Sequence, residues 1–175
     1  PYRPRYILPD YSKLLANGSA FLRLPIANDL LTAIQHLLIC YSHIPSITSF
    51  PVYIGQIDDL LEKFVLNEDR NYAKKILALY LTQIDRALSD SFTHLNFGPA
   101  ASITGELILE LESELNNAAP NLSLKYNPNL TPDEFAILAI KTCCSVSKPY
   151  FINDNEYLKE YPNGYGIASC YNTLP

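Results

Sequence analysis

The sequence predicts an α/β chain in which a helix-rich first part is followed by parallel strand–helix–strand units. Three observations carry this. Apolar residues recur at helical spacing through most of the chain before residue 120. Beyond it the period shortens to two, with Leu122, Leu124 and Tyr126 alternating with polar residues as in a short strand. Thr131-Pro132-Asp133-Glu134 then reads as a helix start, with Thr as cap, Pro in the first turn and Glu closing a capping box. Strand, helix and strand in that order favour a parallel unit with a right-handed crossover. Residues 1–175 are therefore expected to form a single incomplete domain, mainly helical over 1–120 and strand–helix–strand over 121–175.

Taken in order, Pro1 to Pro25 reads as an irregular, Pro- and Tyr-rich approach with an Asn17-Gly18 turn. Leu30, Ile34, Leu37, Leu38 and Tyr41 then line one helical face, with Asn28 or Asp29 as cap. Pro45 and Pro51 are expected to stop that helix and to enclose a polar loop. A second helix is predicted from about Gln56 to Val65. A third is predicted from about Asp69 to Ser89, with Tyr72, Ile76, Leu79, Tyr80 and Ile84 inward. Ser89 to Ser102, which includes Asn96, Gly98 and Pro99, reads as a loop. A fourth helix begins near Ser102 or Thr104 and buries Leu107, Ile108, Leu111 and Leu115; its acids Glu106, Glu110, Glu112 and Glu114 are expected on a solvated face. The helix after Thr131 should run to about Ser147. Pro149 to Ile152 and Tyr165 to Ser169 read as further strands, expected to be parallel neighbours of the first. A three-strand parallel sheet is incomplete, so the chain is expected to be part of something larger.

Composition narrows the function. Hydrophobic residues make up 48% and charged residues 18%, which is globular and not disordered. A net charge of −5 argues against nucleic acid or an anionic membrane as partner, since both need a basic face. No apolar run approaches the ~20 residues of a membrane helix. Pro1 to Asp10 carries charges and three prolines where a signal peptide has its apolar core. The absence of Met and the initial Pro suggest a processed or partial chain. The expected location is the cytoplasm, with the four cysteines reduced.

No phosphate loop, dinucleotide fingerprint, zinc-protease or nucleophile-elbow motif is present. His36 and His43 lie two helical turns apart but lack a neighbouring carboxylate, and no metal site is expected. Cys40, Cys143 and Cys144 fall on predicted helices as small apolar core residues. Cys170 differs: it follows the strand Gly164-Tyr165-Gly166-Ile167-Ala168-Ser169, at the carboxyl end where α/β folds carry their sites. A thiolate nucleophile would want a basic neighbour to lower its pKa. A thiyl radical forms by hydrogen-atom transfer and wants a neutral S–H in uncharged surroundings, which the Tyr, Gly, Ala, Ser, Asn and Thr around Cys170 suit better.

Gly164-Tyr165-Gly166-Ile167-Ala168-Ser169-Cys170-Tyr171-Asn172-Thr173-Leu174-Pro175 resembles the cysteine-loop segment of glycyl radical enzymes, in their YjjI-like branch. The resemblance extends through Pro4-Arg5-Tyr6-Ile7-Leu8-Pro9-Asp10-Tyr11, Leu15-Ala16-Asn17-Gly18-Ser19, Ile44-Pro45-Ser46-Ile47-Thr48-Ser49, Pro51-Val52-Tyr53, His94-Leu95-Asn96-Phe97-Gly98-Pro99 and Ser147-Lys148-Pro149. It implies a partial fragment of a ten-stranded α/β barrel around a finger loop, with Cys170 as the catalytic, radical-carrying cysteine. It also implies that Asn96, Tyr165, Ser169, Tyr171 and Asn172 lie near a small-molecule substrate. The cofactor would be a protein-derived glycyl radical on a glycine outside this chain, installed by a radical S-adenosylmethionine activating enzyme. The full-length protein is expected to be a homodimer, and this chain alone to be inactive. Two other functions compete: an ionic cysteine enzyme with Cys170 as nucleophile and His94 or His43 as base, and a noncatalytic interaction domain.

Overall fold

A computed structural model describes residues 9–47, 52–87, 93–168 and 172–174. Among them the elements run α1 (Tyr11–Asn17), α2 (Leu30–Ile47), β1 (Val52–Gln56), α3 (Ile57–Val65), α4 (Arg70–Ala87), β2 (Thr93–Phe97), α5 (Ile103–Leu115), β3 (Asn121–Tyr126), α6 (Asp133–Val146), β4 (Tyr150–Asn153), α7 (Asp154–Glu160), β5 (Gly166–Ala168) and β6 (Asn172–Leu174). β1 to β4 form one parallel sheet in sequence order. The chain is thus a mixed α/β fold, and β3 and β4 pair in parallel on either side of α6, as the shortened period and the helix start imply.

The two faces of the sheet differ. Leu95 and Phe97 of β2 and Leu122 and Leu124 of β3 are buried and turn toward the helices. The Phe97 ring meets Phe135 of α6 edge-on, with centroids 6.0 Å apart. The register puts Asn96, Ser123 and Tyr150 side by side, and next to them Lys125 beside Ile152, on the opposite and more polar face. Helix caps follow local chemistry. Asp29 accepts from Thr32 N at 2.7 Å, Asp69 from Tyr72 N at 3.1 Å, and Ser102 from Gly105 N at 3.0 Å. Glu62 of α3 reaches the open end of α5, accepting from the backbone of Ile103 and Thr104 at 2.9 and 2.8 Å.

Several expectations are corrected. Tyr165 to Ser169 was expected to extend the parallel sheet, but β5 pairs antiparallel with β6 in a separate two-stranded sheet. β2 occupies a segment read as a loop, and β1 one to which the sequence assigns no element; β2 is buried throughout and β1 over Val52–Ile54, so neither shows a clean alternation. Short helix α1 occupies part of the stretch read as irregular, and α7 is a short helix in a stretch to which the sequence assigns no element. α2 runs through Pro45, because in the last turn a proline forfeits a single ladder bond while Tyr41 and Ile44 remain anchored in the core. α6 begins at Asp133 with Pro132 as cap residue; the Thr131 hydroxyl instead accepts from Asn127 N at 3.0 Å. Tyr72 and Leu79 are exposed, since the inward stripe of α4 is Ala73, Ile76, Leu77, Tyr80, Leu81 and Ile84. Glu106, Glu110 and Glu114 are surface acids met by Arg70 and Lys74, but Glu112 is fully buried against Lys148 at 2.6 Å. Cys40 is buried as expected, Cys143 is half-buried and Cys144 is exposed, and all three are free thiols.

Candidate functional site

The carboxyl edge of the parallel sheet gathers the polar side chains. β1 ends in Gln56 and passes directly into α3, which brings Asp58 and Asp59 to that edge. Asp58 is buried and its carboxylate accepts from Gly98 N at 2.7 Å, tying the end of β1 to the end of β2. Gln56 donates through Nε2 to the Gly98 carbonyl as a second tie. Gly98 has a φ of +80°, and a side chain there would strike Leu124 and the Lys125 carbonyl. Burial raises the Asp58 pKa to about 7, partly offset by the Gly98 N–H.

β5 and the residue before it lie on the polar face, held at three successive positions. At Tyr165, the phenol donates to Asp154 at 2.8 Å, the ring stacks on Tyr157 at 5.0 Å, and the carbonyl accepts from Lys125 Nζ at 2.5 Å. The same Nζ sits 4.3 Å from the Tyr165 ring centroid. Asp154 is also held, accepting from Asn127 Nδ2 at 3.1 Å. Burial pushes the Lys125 pKa down, opposed by Asp154, Asp59 and Asp58, and pushes the Tyr165 phenol up, with Asp154 adding to the rise. At Gly166, the backbone lies against the Tyr53 phenol so closely that a Cβ would sit 2.5 Å from its oxygen. At Ile167, the Asn96 carboxamide makes a paired contact: Ile167 N donates to Oδ1 at 2.7 Å and Asn96 Nδ2 donates to the Ile167 carbonyl at 3.0 Å. Tyr53 donates its hydroxyl to the same Oδ1 at 2.9 Å. Asn96 is fully buried.

Of the residues singled out by sequence, Asn96 and Tyr165 come together around β5. The backbone of Asn172 pairs with Ala168 across the β5–β6 ladder. Ser169, Cys170 and Tyr171 lie outside the described residues. His94 is buried on β2, and burial holds its pKa down at about 4, so the ring is neutral at neutral pH. His43 is exposed on α2 whereas His36 is buried, so the two do not share an environment. Among the described residues no group of three His, Cys, Asp or Glu could hold a metal ion, and no helix is long and apolar enough to cross a membrane. Sequence reasoning missed Tyr53, Asp58, Lys125 and Asp154. Gly166 was the available signal, since a glycine inside a strand marks a close approach of another group.

The family model for YjjI-like glycyl radical enzymes matches residues 1–175. An uncharacterized protein of Haemophilus influenzae is 48% identical over 174 residues, covering 99% of this chain and 34% of its own length. The uncharacterized protein YjjI of Escherichia coli is 43% identical over 176 residues, covering 100% of this chain and 34% of its own length. The chain therefore spans about a third of the length of these two relatives. With a match along all of its residues, the chain belongs to the YjjI-like glycyl radical enzyme family.

Proposed function

We propose that this chain is the cysteine-bearing part of a glycyl radical enzyme, a fragment of its ten-stranded barrel, and that Cys170 is the residue that attacks the substrate. One observation carries the reading. β5 leaves the parallel sheet and runs over its polar face, paired with β6, and Cys170 is the middle of the three residues that join them. A finger enclosed by a barrel needs that path; a fifth parallel strand would have ended at the sheet edge. The described four-stranded parallel sheet, with helices against its apolar face and polar residues on the other, supports that reading.

The glycyl radical, held on a glycine outside these residues, supplies one unpaired electron. Cys170 gives its thiol hydrogen atom to that carbon and becomes a thiyl. The thiyl then takes a hydrogen atom from a substrate C–H: the S–H bond is re-formed, the C–H bond breaks, and the unpaired electron moves to the substrate carbon. No proton or external oxidant enters the balance. The substrate is a small molecule that reaches the space beyond β5. Activation falls to a radical S-adenosylmethionine enzyme, and the protein works in the cytoplasm without oxygen, as a homodimer.

The test uses the full-length protein. Anaerobically activated wild type should show a glycyl radical by electron paramagnetic resonance and lose it in air. Cys170→Ser should keep the signal and lose all turnover, because a serine O–H is too strong to yield its hydrogen atom. Active, aerobically purified wild type with no radical signal at any stage would end this reading in favour of a cysteine nucleophile.

A further inference from the structure

We infer that Asn96 is a positioning residue: its carboxamide acts as a substitute strand that fixes the height of β5, and with it the point from which the chain departs toward Cys170. The inference rests on the radical reading for its purpose but on geometry for its content. A primary carboxamide carries the same donor and acceptor pair as a peptide group. Here the pair faces the N–H and carbonyl of one residue, Ile167, at 2.7 and 3.0 Å. β5 therefore receives from a side chain what a neighbouring strand would otherwise provide.

The arrangement is reinforced from both sides. Tyr53 donates to Asn96 Oδ1 at 2.9 Å, so that oxygen accepts two hydrogen bonds and the amide cannot turn over without losing both. The Tyr53 hydroxyl keeps its place at Asn96 only because residue 166 has no side chain, since a Cβ there would lie 2.5 Å from the phenol oxygen. Three residues on three separate strands, Tyr53, Asn96 and Gly166, thus make one fixture. All of it is buried, where a lost hydrogen bond is not replaced by water. Hydrogen-atom transfer is steeply sensitive to the distance between the atoms, and Ile167 lies three residues before Cys170. With its carboxamide committed to the backbone and to Tyr53, Asn96 serves Cys170 by holding the strand.

The test again uses the full-length protein, reduced and under anaerobic conditions. Two rates are read: hydrogen exchange of the peptide containing Ile167, and alkylation of Cys170 by iodoacetamide, located by peptide mass spectrometry. Asn96→Ala should raise both by about tenfold or more, the factor corresponding to loss of one or two buried hydrogen bonds. Leu111→Ala, a truncation in the buried face of α5, serves as the stability control; it should lower the melting temperature comparably yet leave both rates within about twofold of wild type. Should Asn96→Ala fail to fold, Tyr53→Phe keeps the Asn96–Ile167 pair and removes the support, and should raise both rates by a smaller factor, about threefold. Rates unchanged in the Asn96 and Tyr53 variants, or raised equally by Leu111→Ala, would overturn the assignment. Neither rate needs the radical, so a missing radical signal in wild type would count against the catalytic reading alone.

Discussion

Replacing Lys148 by Met should be among the most damaging single changes in this chain, because of the buried carboxylate it partners. Lys148 precedes β4 and sits 2.6 Å from Glu112 of α5, with side chains 7% and 0% exposed respectively. Its ammonium also donates to the Pro120 carbonyl at 3.2 Å. At an effective dielectric near 20, two unit charges at that separation attract by about 6 kcal/mol, and the desolvation of both ions cancels most of it. The pair together is therefore near neutral, but Glu112 alone is not. Stripping away its cation should cost about 3–5 kcal/mol. Glu112 can escape part of that by taking up a proton. Its pKa is already raised above the ordinary 4.5 by burial, with Lys148 opposing. Without Lys148 it rises further, so the native state binds a proton that the unfolded state has released. The penalty of Lys148→Met should thus grow as pH rises above about 4.5 and be smaller at pH 5 than at pH 8. Urea unfolding of the full-length protein, followed by far-ultraviolet circular dichroism at both pH values, measures this. Adding Glu112→Leu to Lys148→Met should recover most of the loss, to within about 1 kcal/mol of wild type. A single-variant cost under about 1 kcal/mol at pH 8, or a double variant no better than the single, would refute the reasoning.

Two further outcomes follow from the carboxyl edge of the sheet. Gly98→Ala should destabilise by about 1–3 kcal/mol, and by more than Gly164→Ala: both residues have a positive φ, +80° and +108°, but at Gly98 Leu124 Cδ1 also lies 2.6 Å from the added carbon whereas Gly164 has nothing within 4 Å; equal melting temperatures for the two variants would contradict this. Asp58 has a folded pKa of about 7 against an ordinary 3.8, so its burial costs stability increasingly as pH rises through that window. Asp58→Asn keeps an acceptor for Gly98 N and should gain about 1–3 kcal/mol on wild type between pH 4 and pH 8 in urea titrations, a trend that a pH-independent difference would exclude.

Much of the helical framework was legible because its stripes are long. Leu30, Ile34, Leu37 and Tyr41 repeat over three turns and are all buried. The β3–α6–β4 unit was legible because a polar–apolar alternation met a helix start, even though Pro132 and not Thr131 proved to be the cap residue. β1 and β2 were hidden by their burial. Thr93, His94 and Asn96 look like loop residues, yet all three are buried, with Asn96 satisfied by β5, from 71 residues along the chain. No local pattern reports a partner that distant. The direction of β5 was unreadable for the same reason: its backbone bonds to a side chain on one edge and to β6 on the other, and a strand's sequence does not name its neighbours. Cys170 stood out by its place after a glycine-bearing strand, whereas Lys125 and Asp154 acquire meaning only through Tyr165.

The contacts at Tyr165, Gly166 and Ile167 also act as stops against sliding. A strand advances ~3.3 Å per residue, so a shift of one position would displace the end of β5 by that much. Such a shift also turns every side chain to the other face. A shift of two positions preserves the faces and is the dangerous one. Retraction by two would bring Ala168 under the Tyr53 phenol, where even a methyl carbon collides with the ring. Advance by two would bring Gly164 there instead, which fits, and Asn96 would grip Tyr165 as readily as Ile167. That motion is opposed by the Tyr165 hydroxyl on Asp154 and the Lys125 ammonium on the Tyr165 carbonyl. Steric bulk thus blocks one sense of travel and polar tethers the other, so weakening Asp154 or Lys125 would let the strand overshoot, and enlarging Gly166 would push it the same way, since Gly164 fits under the Tyr53 phenol and Ala168 does not.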